Sequence, residues 1–174
     1  MIEVRWVTVG SGKVALFHRP KLKDIAKLAD LGCQRVVTIQ GDHETPGQIE
    51  RAVREAGLAW TWIRAGNAKY PEAEADQLMR RGLQELTACL EAGESVLIHC
   101  SAGIHRTGML AFALLRSVGL PEAEALEKVA AMRPKTREGM HEEHLAWGNR
   151  LAAEVESGQL PGGLSQSIKR STRE

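Results

Sequence analysis

Cys100 and Arg106 stand six positions apart in LIHCSAGIHRTGM, residues 97–109, between two apolar runs. A cysteine attacks as its thiolate, and positive surroundings favour that form. An arginine offers a planar fork of donors that matches two oxygens of a phosphate. The chain from Ser101 to Arg106 must turn and hand over to a helix beginning near Thr107. The backbone N–H groups of Ser101, Ala102, Gly103, Ile104, His105 and Arg106 are therefore candidates to cradle an anion at a helix amino terminus. Gly103 allows the backbone a close approach. Cysteine, cradle and arginine make one unit, a nucleophile aimed at the phosphorus it has bound.

The elements on either side explain how such a loop would be positioned. IEVRWVTV and KVALFH flank GSG and predict a hairpin. Ile25, Leu28, Ala29 and Leu31 recur at helical spacing before Gly32, and RVVTI follows as a buried strand. Thr45 and Pro46 open a second helix that closes at Gly57, and LAWTWI returns to strand character. Pro71, Glu72 and Glu74 begin a longer helix ending at Gly93, and SVLIHC is the next strand. Three further helices are expected: GMLAFALLRSV, PEAEALEKVAAM, and one from about Met140 to Val155. The alternation predicts an α/β fold, a central, mainly parallel sheet of about four to five strands flanked by helices. Ligands of such sheets bind beyond the strand carboxyl ends, so Cys100 is expected to be exposed there rather than packed.

The chain has 174 residues, 43% hydrophobic and 26% charged, enough for one ordinary domain with a proper core. Residues 1–156 read as that domain and 157–174, rich in glycine, serine and charge, as a flexible tail. A net charge of +1 gives no support to bulk polyanion binding, so no nucleic-acid partner is expected. No apolar stretch is long enough to cross a bilayer, the amino terminus lacks signal-peptide character, and three cysteines without metal-ligand spacing suit a reducing compartment. A cytoplasmic protein without membrane partner is the expectation, with a monomer compatible.

HCSAGIHRTG, residues 99–108, resembles the signature loop of the cysteine-dependent protein tyrosine phosphatases, H-C-x5-R-[ST]-G. Cysteine and arginine alone would also fit rhodaneses or arsenate reductases, whereas His99 and Thr107-Gly108 favour phosphatases. RVVTIQGDHETPGQIERAVREAGLAWTWI is similar in layout to the small dual-specificity members, so the resemblance covers roughly Lys23 to Leu151. It implies a phosphocysteine at Cys100, with Arg106 on the phosphoryl oxygens in ground and transition states. Thr107 would stabilise the departing thiolate, and His99 would tune the cysteine through the hydrogen bonds of the loop. It also implies no metal and no organic cofactor, and a phosphorylated protein or small phosphorylated molecule as substrate.

One departure stands out. The family carries a general-acid aspartate on the loop upstream of the nucleophile strand, and here that loop is RAGNAKYP, with Asn67 about where the aspartate belongs. An amide cannot protonate a leaving alkoxide, a transfer worth roughly 10²–10⁴-fold. Glu72, Glu74 or Asp76 beyond the loop, or Asp42 or Glu44 in QGDHETP, are candidate substitutes. His105 is another, as acid or substrate contact, because imidazoles titrate near neutrality. The remaining explanations are a substrate whose leaving group needs no acid, an inactivating substitution, or a phosphate-binding module with weak or no turnover.

Other residues have plainer readings. Cys33 and Cys89 sit on apolar faces and read as small buried hydrophobes. Trp60 and Trp62 share one face of a strand and read as packing rather than substrate stacking. HEEH, His141 to His144, has histidines three apart on a helix but no convincing third ligand, so a metal is not expected. In the family this stretch carries a water-positioning glutamine, a part His141 or Glu142 would have to take. RPKTRE, residues 133–138, reads as a solvated loop, with Lys135 and Arg137 as flanking cations if it borders the pocket. Short loops favour a shallow pocket. A sulfurtransferase is a more distant alternative.

Overall fold

The alternation of the sequence is the architecture of the computed structural model, which describes residues 1–159. Strands β1 (Val7–Val9) and β2 (Gly12–Phe17) form the expected hairpin, with β1 shorter than its alternating sequence. Helix α1 (Ile25–Asp30), β3 (Arg35–Gln40), α2 (Pro46–Glu55), β4 (Ala59–Arg64), α3 (Ala73–Glu91) and β5 (Ser95–His99) follow. The chain continues through α4 (His105–Ser117), α5 (Glu122–Met132), α6 (Pro134–Glu138) and α7 (Glu142–Glu156). The five strands order as β1-β2-β5-β3-β4, all pairs parallel except β1 with β2. Of the proposed tail, only residues 157–159 fall within the described part.

β5 is central, and its alternation builds two cores. Val96 and Ile98 belong to the larger one, with α3, α4, α5 and α7, while Leu97 joins α1 and α2 on the other face. By the same alternation His99 falls on the α1 and α2 face and Cys100 in the larger core. Every residue of α4 from Thr107 to Leu115 is buried, as expected of a helix apolar nearly all round. Its Phe112 and the Trp147 of α7 are wholly buried, each worth about 1.5–3 kcal/mol or more of apolar transfer. Gly148 permits this packing, since a Cβ there would stand 2.7 Å from Phe112 Cδ1 and 3.0 Å from Ala113 Cα. The helix that leaves the Cys100 loop is thus fixed from all sides.

RPKTRE is not a solvated loop. Pro134 takes the first helical position of α6, and Thr136 is fully buried. Cys33 and Cys89 are buried as expected, and burial pushes the Cys33 thiol up to about 11. Trp60 and Trp62 stack at 6.3 Å with rings 17° apart. Trp60 packs on the α1 and α2 core, and Trp62 is 37% exposed. No described helix is long and apolar enough to cross a membrane.

Candidate active site

Cys100 follows the last residue of β5, and the chain then turns once before α4 begins at His105. The turn depends on Gly103, whose φ is +69°. A Cβ there would collide with the Phe17 carbonyl and stand 2.7 Å from the His18 backbone nitrogen, so the loop lies directly on the end of β2. Gly103 N–H donates to Cys100 Sγ at 3.3 Å, so this N–H of the loop turns inward onto the sulfur. Cys100 is 3% exposed, so it sits buried at the floor of the cradle rather than exposed beyond the strand. The correction has a physical cause: Cys100 keeps the alternation of β5 and points into the larger core.

The outside of the loop is held by residues the sequence reading missed. Arg133 Nη1 donates to Gly103 O at 2.7 Å, and the Thr136 hydroxyl donates to the same oxygen at 2.6 Å. A Cβ on Gly139 would collide with Ile104 Cγ2, so the chain after α6 rests on the loop as well. At the other end, Arg19 N–H donates to Ser101 O at 2.9 Å. The Arg19 guanidinium reaches Gln40 Oε1 at 3.1 Å and Glu44 O at 2.7 Å, joining the ends of β2 and β3. Pro134 after Arg133 was the available signal for α6; nothing local marks Arg19.

Arg106, on the first turn of α4, is nearly immobilised. Its two terminal nitrogens donate to the Glu44 carboxylate, Nη2 reaching Oε1 at 2.8 Å, and Nη1 also donates to Ala65 O at 3.0 Å. Ser101 Oγ and Gly41 N–H donate to the same carboxylate. The Arg106 hydrogen bonds hold the Glu44 carboxyl down at about 2, with burial opposing. The Glu44 carboxylate is therefore placed to orient the guanidinium. Thr107 Oγ1 is fully buried and has no hydrogen-bond partner among the described residues. His99 is wholly buried, its Nδ1 3.0 Å from Cys100 O, and burial pushes its pKa down to about 4.

The other candidate acids are scattered. Asp42 pairs with Arg64, 2.7 Å from its Nε. Asp76 accepts from Arg80 and from Trp147 Nε1, the latter at 2.8 Å, and so belongs to the packing of α3 on α7. Asn67 Oδ1 accepts from Lys69 N–H at 3.0 Å, folding its loop back on itself. Glu72 and Glu74 are exposed in a cleft of about 550 Å³ shared with Asp42, His43 and Gly66. His43 was not singled out from sequence; its ring lies over Gly41 and Gly66.

His105 stacks on His144 at 4.6 Å, with His141 6.3 Å away, so HEEH borders the signature loop. His141 N–H donates to His144 Nδ1 at 2.9 Å, making the pair an amino-terminal cap of α7. Among the described residues, no group of three or more histidine, cysteine or acidic side chains is placed to hold a metal ion.

A model of a tyrosine phosphatase family matches residues 15–156. The chain belongs to the tyrosine phosphatase family. The match extends beyond both ends of the resemblance seen in the sequence. Dual specificity protein phosphatase 15 of Mus musculus is 26% identical over 140 residues, covering 75% of this chain and 57% of the relative. This chain therefore spans little more than half of that relative's length. Among solved structures, Tk-PTP in its active form superposes with a TM-score of 0.69 at 24% identity, covering 85% of this chain and 97% of that one. PTPMT1 in complex with PI(5)P gives 0.70 at 19% identity, covering 89% and 99%. These likenesses bear out the expected phosphatase fold and a small dual-specificity-like member of the family. The loop of residues 99–108 is thus a phosphatase signature loop in a phosphatase fold.

Proposed function

We propose that the chain is a metal-independent phosphomonoester hydrolase working through a phosphocysteine at Cys100. The observation that carries this reading is the buried thiol on an inward-turned loop, with Arg106 held beside it by Glu44 and Ala65. The Cys100 thiolate attacks phosphorus, the S–P bond forms, and the bond to the leaving oxygen breaks with its electron pair going to that oxygen. Arg106 and the loop N–H groups hold the three remaining phosphoryl oxygens. Water then attacks phosphorus and inorganic phosphate leaves. The S–P electron pair returns to sulfur, where the Thr107 hydroxyl donates to it. The intact cysteine, arginine and threonine, together with the family, favour an enzyme over a binding module.

The proton for the leaving oxygen separates substrates. Glu44, Asp42 and Asp76 each face a guanidinium, and Asn67 has no proton to give. Glu72, Glu74, His105 and the nearby His43 remain as donors, none tied to a guanidinium in the contacts described above. Substrates with an acidic leaving oxygen fit this site best: an aryl phosphate, whose phenol has a pKa of about 10, or a phosphoanhydride, ahead of alkyl phosphates. Phosphotyrosine falls in the first class. The PI(5)P in the structure of PTPMT1, an alkyl phosphate, keeps a small phosphorylated molecule as a second carrier behind the aryl class. The same reading takes the protein as a cytoplasmic monomer without cofactor or nucleic-acid partner.

Hydrolysis of p-nitrophenyl phosphate in the presence of a chelator, compared between the native chain and Cys100→Ser, tests the proposal. Activity that disappears in the serine variant is the expected result. Activity that survives the substitution, or a folded native chain without any, would overturn it.

A further inference from the structure

His99 is joined to two residues that neither its motif nor its neighbours in sequence reveal. Thr38 lies directly opposite His99 where β3 pairs with β5, and Trp60 reaches across from β4 on the same sheet face. Thr38 Oγ1 is 2.8 Å from His99 Nε2, and Trp60 Nε1 donates to Thr38 Oγ1 at 2.9 Å. Thr38 and His99 are both wholly buried.

The chemistry of the four groups allows one direction along this chain. The carbonyl of Cys100 only accepts, so His99 Nδ1, 3.0 Å away, carries a proton and donates to it. A second proton is disfavoured by burial and by Arg19, His18 and Arg106, the charged or titratable groups that act on the ring. A neutral imidazole protonated at Nδ1 has a bare Nε2, which therefore accepts the single hydroxyl proton of Thr38. The indole N–H of Trp60, a donor only, occupies the Thr38 oxygen and turns that proton toward the histidine.

We propose that Thr38 and Trp60 are positioning residues that lock His99 in its Nδ1-protonated form, so that a donor always faces the carbonyl of Cys100. The inference rests on the phosphocysteine reading for its consequence, because that carbonyl begins the loop whose dipoles serve the thiolate. With the tautomer reversed, the Nδ1 lone pair would face the carbonyl oxygen and push the loop away from its inward turn. A serine or threonine at position 38 does this work; an isosteric valine does not.

Nitrogen NMR of His99 in the intact chain gives a direct test, made alongside the pH dependence of Cys100 alkylation by iodoacetamide. The native protein is expected to show protonated Nδ1 and bare Nε2. Thr38→Val should move the Nε2 resonance to that of an imidazole nitrogen without a hydrogen-bond donor, move the alkylation midpoint to higher pH, and lower kcat/KM for p-nitrophenyl phosphate about tenfold, the worth of one buried hydrogen bond. Thr38→Ser should restore all three, and Trp60→Phe should give a smaller shift of the same sign. A native His99 protonated at Nε2 overturns the proposal without any variant. So does a folded Thr38→Val protein with an unchanged Nε2 resonance and alkylation profile. Because both readouts need no turnover, a protein inactive on phosphate esters would sink the hydrolase reading while leaving the tautomer lock to be judged by itself.

Discussion

Glu44→Gln separates orientation from proton donation. Glu44 accepts two N–H groups of Arg106, the hydroxyl of Ser101 and the backbone N–H of Gly41. The amide keeps the shape and one acceptor oxygen but presents an NH₂ where the second oxygen was. One bond to Arg106 is lost and the other keeps only the charge of the guanidinium, a change of about 2 kcal/mol, or roughly 30-fold in kcat/KM. The Arg106 bonds hold the Glu44 carboxyl down at about 2, so it stands ionised at neutral pH with no proton to give. The loss should therefore be the same for p-nitrophenyl, phenyl and alkyl phosphates when kcat/KM is measured across the series. A loss that steepens as the leaving group becomes more basic would make Glu44 the proton donor and refute the reasoning. A variant with native rates on every substrate would refute the orienting role.

Gly103→Ala combines a positive φ with a backbone collision at Phe17, and should abolish activity or prevent expression of folded protein, read by circular dichroism and turnover. Trp147→Phe removes the bond to Asp76 while keeping most of the apolar volume, and should cost about 1–2 kcal/mol in urea unfolding with kcat/KM little changed. His99 and Glu44 both have pKa values below their ordinary ones, so each contributes stability that is complete above the ordinary value and lost as pH falls. His99 loses its share between 6.5 and about 4, and Glu44 between 4.5 and about 2. Urea midpoints should fall in two steps on acidification, the lower one smaller in Glu44→Gln, where Glu94 and Glu154, also held low by arginine partners, still contribute. Plain aryl phosphates should show a steep dependence on leaving-group pKa if no donor takes the place of Asn67, and a flat series would establish that one does.

The fold was legible because its strands and helices alternate with clear stops, and because β5 ends at the cysteine. The signature loop was legible because its residues are adjacent and each type has one chemical use. What escaped was everything that arrives from another element. Glu44 was noticed only as a carboxylate, since nothing in QGDHETP tells that β3 delivers it to Arg106, 62 positions away. Arg133 and Thr136 were hidden in a charged stretch whose one visible clue was Pro134. Thr38 did leave a trace, as the polar residue inside VVTI, residues 36–39, and a buried hydroxyl has to bond to something. The expected exposure of Cys100 failed because position at a strand end says nothing of which face the side chain takes.

The central claim is the covalent intermediate, and its most direct measurement is rapid acid quench of turnover with ³²P-labelled aryl phosphate, followed by peptide mapping. The account predicts label on the peptide containing Cys100, none in Cys100→Ser, and release of the label as phosphate on continued incubation. Label on a histidine, or full turnover with no labelled peptide in a quench fast enough to catch one, would contradict it.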